Sequence, residues 1–122
     1  PYMTVEFVEE SVTAESIQIF RSGNEVPAMF VGENQYVADA WNYYSQEKTV
    51  RLVGSVMGTS RCEAVAIGEP VTIAPGENAQ VSLTVTVPRT GQEVHLFLVE
   101  EKNGGFYPIA NKKDIATKTG WQ

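Results

Sequence analysis

The most constraining feature of this chain is a strict two-residue period. From Gln80 to Val87, Val81, Leu83, Val85 and Val87 alternate with Gln80, Ser82, Thr84 and Thr86. That is a strand with one buried face and one wet face. A helix would scatter the valines around its circumference, where β-branched side chains are stiff. Pro88 ends the run because it has no N–H for a ladder. Ala74-Pro75-Gly76-Glu77-Asn78 precedes it, with Pro presetting φ and Gly free to take positive φ.

The same period recurs along the chain. Lys48 to Met57 reads as a long strand with Val50, Leu52 and Val56 on one face and Thr49, Arg51, Val53 and Ser55 on the other. Gly58-Thr59-Ser60 turns the chain and Cys62 to Ile67 returns it. Val71-Thr72-Ile73 alternates again. Val94 to Val99 is apolar on nearly both faces, as a central sandwich strand is. Lys102-Asn103-Gly104-Gly105 is a hairpin signal, and Phe106 to Ala110 follows as a short last strand, marked as an edge by Pro108. Upstream, Met3, Val5 and Phe7 alternate, and Ser16–Phe20 and Val26–Val31 read as two strands around Arg21-Ser22-Gly23-Asn24. Residues 34–44 fit either a strand or a short helix. The strand is favoured, because all that follows is β and aromatic residues suit a sheet.

These runs define an all-β, antiparallel sandwich of seven to nine strands with Greek-key connections. A length of 122 residues suits a single domain over 1–122, best marked over 32–110, with 111–122 as a polar tail or linker. The expected core centre is Val50, Leu52, Val56, Leu83, Val85, Leu96 and Leu98. The order of the segments resembles immunoglobulin-like and fibronectin type III-like modules of bacterial cell-surface and secreted proteins. The resemblance rests on Asn42-Tyr43-Tyr44-Ser45, the strand Thr49–Met57, the return Glu63-Ala64-Val65, Val71–Glu77, Val81–Pro88, Val94–Val99 and Tyr107-Pro108-Ile109. The paired cysteines of true immunoglobulin domains are absent, and Val99-Glu100 stands where many such modules place Trp and an acid. The resemblance implies a non-catalytic module, extracellular or at the cell surface, whose partners are neighbouring domains or other surface proteins.

Charge and composition exclude several classes. Nine basic and fifteen acidic residues give a net charge of −6, which disfavours nucleic acid and anionic membranes. No stretch approaches the ~20 apolar residues of a membrane-spanning helix. Cys62 is the only cysteine, so no intrachain disulfide forms, and a cytosolic protein would look the same. Pro1 without a preceding Met reads as the start of an excised or processed fragment. No Asn-x-Ser/Thr acceptor occurs.

No catalytic, metal or cofactor site is expected. His95 is the only histidine and lies in an apolar strand, where burial would favour the neutral ring. Cys62 reads as small-residue packing beside Ala64 and Ala66. A Cys62–His95 dyad would need a base held close to the thiol, and no flanking motif supplies one. Gly54, Gly58, Gly104 and Gly105 read as strand ends or turns. Aromatic residues are the suggestive group: Tyr36, Trp41, Tyr43 and Tyr44 fall within nine positions. Buried, they are core, the commoner fate for Trp41. Exposed, they stack on sugar faces or anchor a partner, and a carbohydrate-binding module is the alternative function, with Asn42 and Asp39 as polar neighbours.

Overall fold

A computed structural model describes residues 10–109 and the backbone of residues 115–118. The chain forms ten strands in these residues: β1 (Val12–Arg21), β2 (Asn24–Val26), β3 (Gly32–Asn42), β4 (Lys48–Met57), β5 (Cys62–Ile67), β6 (Val71–Ile73), β7 (Asn78–Val87), β8 (Glu93–Lys102), β9 (Gly105–Pro108) and β10 (Ile115–Lys118). One sheet has the order β2-β1-β3-β7. The other has β8 and β4 at its centre. On one side β9 and β10 pair with successive stretches of β8, and on the other β5 and β6 pair with successive stretches of β4. Each sheet is therefore four strands wide, and every pairing is antiparallel.

Alternation decides which side chains meet between the sheets. On β3, Tyr36, Ala38 and Ala40 point inward; on β7, Val81, Leu83, Val85 and Val87 do. Opposite them stand Val50, Leu52 and Val56 of β4 and Val94, Leu96 and Leu98 of β8. All seven expected core residues are buried. Gly54 is not at a strand end. It sits mid-strand on β4 facing inward, where a Cβ would lie 2.9 Å from a methyl of Leu83 and 3.3 Å from one of Leu96. The missing side chain makes room for both leucines.

Two hairpins follow the expected turn chemistry. Asn103 and Gly104 take φ of 52° and 77°, and Ser22 and Gly23 take 50° and 80°. Two consecutive positive φ values match the right-handed twist of the flanking strands. Three boundaries differ from the sequence reading. Val26–Val31 is not a strand: β2 stops before Pro27, and Asn34 holds the following loop by accepting from Phe30 N–H and donating to the Phe30 and Gly32 carbonyls. The last hairpin strand is β9, Gly105–Pro108. The polar tail contributes a strand of its own, with Ile115–Lys118 on the edge of β8. The Met3–Phe7 alternation lies outside the described residues.

The sheets are pinned together at one end by Asn42. Its side-chain amide donates to the carbonyls of Ile73 and Gln46, each at 2.9 Å, and its Oδ1 accepts from Tyr44 N–H at 2.9 Å. Asn42 is itself fully buried, so these hydrogen bonds replace the water its amide has lost.

Two substitutions test this packing. Leu83→Ala should cost ~2–5 kcal/mol by urea denaturation, because its two methyls lie against the bare backbones of Gly54 and Gly68, which cannot move in to fill the space. Gly68→Ala should cost about 1–3 kcal/mol although alanine normally stabilises an extended chain. A Cβ there would stand 2.5 Å from the Ser82 carbonyl oxygen and 3.0 Å from that of Leu52, and neither backbone can retreat.

Candidate functional site

The structure separates the four aromatic candidates. Tyr36 points inward, is fully buried, and donates its hydroxyl to Met29 Sδ. It is core and is withdrawn as a contact residue. Tyr44 is half-buried against the core, and the Lys48 ammonium covers its ring at 4.4 Å from the centroid. It too is closed to a ligand on that face. Trp41 and Tyr43 remain. Alternation turns Trp41 outward between the inward Ala40 and Asn42, so it is half-buried on the outer face of the four-stranded sheet and not in the core. Tyr43 is 43% exposed just beyond the strand end, where its N–H is fixed by the Ser11 carbonyl at 2.8 Å. The two rings lie 6.4 Å apart between centroids and 14° from parallel.

Polar neighbours come from the ladder. Trp41 is paired with Asn78 of β7, and Asp39 with Gln80. Asn78 donates to Asp39 Oδ1 at 3.0 Å. Of the two polar neighbours named from the sequence, Asp39 lies on the same outward face as Trp41, whereas Asn42 is the buried pin described above. Asn78 and Gln80 were missed because they join Trp41 only through the β3–β7 register.

The outer face of the other sheet carries a different surface. Register places Ile67, Val53 and Phe97 side by side across β5, β4 and β8, and Val65, Ser55 and His95 in the next row. Phe97 is 40% exposed, Ile67 55% and Val65 62%. The band ends at β5, whose outer edge pairs with no strand among the described residues. At the far end of the same sheet Arg51 makes an ion pair with Glu101 at 2.8 Å and lies over the Phe106 ring.

Cys62 and His95 do not form a dyad. Cys62 pairs with Met57 and His95 with Ser55, two strands apart and two residues along, roughly 12 Å between their Cα positions. Cys62 is exposed, not packed, and its thiol points back to the Ala64 carbonyl at 3.4 Å. An edge strand has no second neighbour to bury it. His95 is half-exposed on the outer face, so the burial expected of it is not met. Among the described residues no group of three or more His, Cys, Asp or Glu side chains converges as metal ligands would. No helix among them is long and apolar enough to cross a membrane. A half-open cleft of about 180 Å³ lies between the edges of β5 and β7, lined by Ile67, Gly68, Glu69, Ser82, Leu83 and Thr84. It holds no nucleophile paired with a base.

A charged clasp closes one end. Arg89 donates to Glu63 at 2.5 Å and ties the β7–β8 loop to the start of β5. The Arg89 hydrogen bond holds the Glu63 carboxyl below its ordinary value of 4.5. Gln92 is buried beside it and accepts from Arg89 N–H at 3.1 Å.

No protein-family model matches the sequence, and no curated protein matches it. Solved structures do resemble the fold. The C-terminal domain of Wzt superposes with a TM-score of 0.71 at 8% identity, covering 95% of this chain and 77% of that domain. The Pseudomonas fluorescens alkylpurine DNA glycosylase AlkC, solved with DNA containing an abasic-site analogue, superposes with a TM-score of 0.53 at 8% identity. That match covers 93% of this chain and 32% of AlkC. At such identity the likeness is one of fold alone.

Two outcomes check the site geometry. The Cys62 thiol should alkylate in the native protein at the rate of an exposed thiol, and His95→Ala should leave that rate unchanged; a large drop would restore the dyad. In an NMR titration the Glu63 carboxyl should titrate below 4.5 and move up towards it in Arg89→Ala. A carboxyl with a lowered folded-state value stabilises the fold above its unfolded-state value. The clasp therefore holds at neutral pH and is lost as acid takes the pH down through the folded-state value.

Proposed function

We propose that this chain is a non-catalytic β-sandwich module of a larger extracellular or cell-surface protein, and that it docks against a neighbouring protein domain. The observation that carries the reading is the apolar band Ile67–Val53–Phe97 with Val65 on the outer face of the second sheet. Exposed apolar residues are ordinary when scattered, but a contiguous band rimmed by polar groups marks a protein contact. The band runs out to the edge of β5, which no other described strand pairs, and residues 64–67 carry none of the lysines, prolines or charges that usually blunt such an edge.

The strand order supports an immunoglobulin-like module. With β1, β3 and β7 as strands A, B and E, and β4, β8 and the β9–β10 edge as C, F and G, the neighbours A-B-E and C-F-G are those of that sandwich. The segment between C and E, here β5 and β6, stays with strand C. The acidic balance of the chain suits a solvated surface protein.

A photo-crosslinking amino acid at Phe97 in the full protein on intact cells should yield an adduct with a neighbouring domain or surface protein. The same group at Thr86, on the opposite outer face, should not. Equal labelling at both positions, or protection of the protein from protease added outside intact cells, would contradict the reading.

A further inference from the structure

We propose that the outer face of the four-stranded sheet binds an uncharged glycan, with Trp41 and Tyr43 as the stacking platform and Asp39, Asn78 and Gln80 as hydroxyl partners. This goes beyond the docking reading and uses the opposite side of the sandwich.

A pyranose ring presents two chemistries at once. One face is a patch of C–H groups, which packs on an aromatic ring; the rim is a set of hydroxyls, each able to donate and to accept. A site for it needs flat exposed rings and, beside them, short side chains that do both. Trp41 and Tyr43 are stacked near-parallel, with centroids 6.4 Å apart, so the pair forms one aromatic block whose exposed ring surface can pack against the C–H face of a sugar. Asn78 and Gln80 each carry an amide that donates and accepts. Asp39 accepts from Asn78 at one oxygen, which leaves its second oxygen and the second amide hydrogen for hydroxyls.

The arrangement is fixed before a ligand arrives. Trp41 and Asp39 stand on the central strand β3, Asn78 and Gln80 on its ladder partner, and the backbone beside Tyr43 is tied to Ser11. The backbone is thus set in advance, and the Asn78–Asp39 hydrogen bond orders two of the polar side chains, which lowers the ordering cost of binding.

Charge selects the ligand class. The outward positions of β3 are Glu33, Gln35, Val37, Asp39 and Trp41, and those of β7 are Asn78, Gln80, Ser82, Thr84 and Thr86. There is no cation among them and there are two carboxylates. Phosphates and uronic acids would be repelled, whereas neutral sugars would not. Away from the ring pair, β3 and β7 present mostly amides and hydroxyls outward, which suits a run of sugar hydroxyls better than the apolar anchors of a protein interface.

The test is native gel electrophoresis of the full chain through hydroxyethyl cellulose, xylan, galactomannan or dextran, with polygalacturonate and alginate as anionic counterparts. At least one neutral polysaccharide should retard the chain, and neither anionic one should. Trp41→Ala and Tyr43→Ala should each weaken retention tenfold or more, while Phe97→Ala leaves it unchanged. Tyr43 lies outside the strands and is exposed, so its variant reads binding even if Trp41→Ala unfolds. Trp41→Phe, which keeps a flat ring, should retain most of the binding. The proposal is overturned if no neutral polysaccharide retards the chain, if retention survives removal of both rings, or if the anionic polymers bind better. A crosslinker at Gln80 that captures a protein without any glycan retention would likewise assign this face to a protein partner and overturn it. Loss of the Phe97 adduct with glycan retention intact would remove only the docking reading.

Discussion

Everything in this structure depends on four inward-facing stripes meeting in one register. Tyr36, Ala38 and Ala40 on β3 and Val81, Leu83, Val85 and Val87 on β7 close over β4 and β8. Because the side-chain period is two, a slip of one residue in any of these strands would send its whole apolar set into water. The register is held by shape and by a polar pin. The bare Cα of Gly54 receives Leu83 and Leu96, so β4 fits beneath β7 in one position. Asn42 bonds to Ile73 across the gap between the sheets and to the turn around Tyr44. A buried amide with all its bonds made is costly to displace, since any shift leaves donors and acceptors unpaired.

The register that fills the core also arms the two outer faces, and it arms them differently. Inward Tyr36 and Ala40 mean outward Asp39 and Trp41 on β3. Inward Leu52 and Leu98 mean outward Val53 and Phe97 on β4 and β8. One face is amide- and hydroxyl-rich with a pair of rings at one end; the other is crossed by an apolar band that runs to an open edge. A sandwich buries its inner faces whatever it does, so function is carried by what the alternate residues leave outside. The likeness to the Wzt C-terminal domain, at 8% identity, is one of scaffold alone.

The sequence made the inward stripes legible and the neighbours across strands obscure. Alternation in Lys48–Met57, Gln80–Val87 and Val94–Val99 identified buried Leu52, Leu83 and Leu96 directly, because periodicity is a local property. It did not say which strand ends up at an edge. Cys62 sits in an Ala-rich run that looks like packing material, yet β5 is outermost and the thiol is exposed. The tail from Asn111 onward is polar and short of apolar alternation, and its strand Ile115–Lys118 exists through pairing with β8. For the candidate site, Trp41, Tyr43 and Asp39 were visible as types. Tyr36 was misplaced because the aromatic cluster was read as one group, when the parity of its positions divides it between core and surface. Asn78 and Gln80 could be found only from the β3–β7 ladder.

Solvent paramagnetic relaxation of the aromatic protons tests the register most directly, since a soluble gadolinium chelate relaxes only protons it can approach. Ring protons of Tyr43, Phe97 and the outer edge of Trp41 should relax strongly, and those of Tyr36 should be untouched. A protected Trp41 with a strongly relaxed Tyr36 would mean that β3 sits one residue out of register. That result would contradict both the core described here and the surface built upon it.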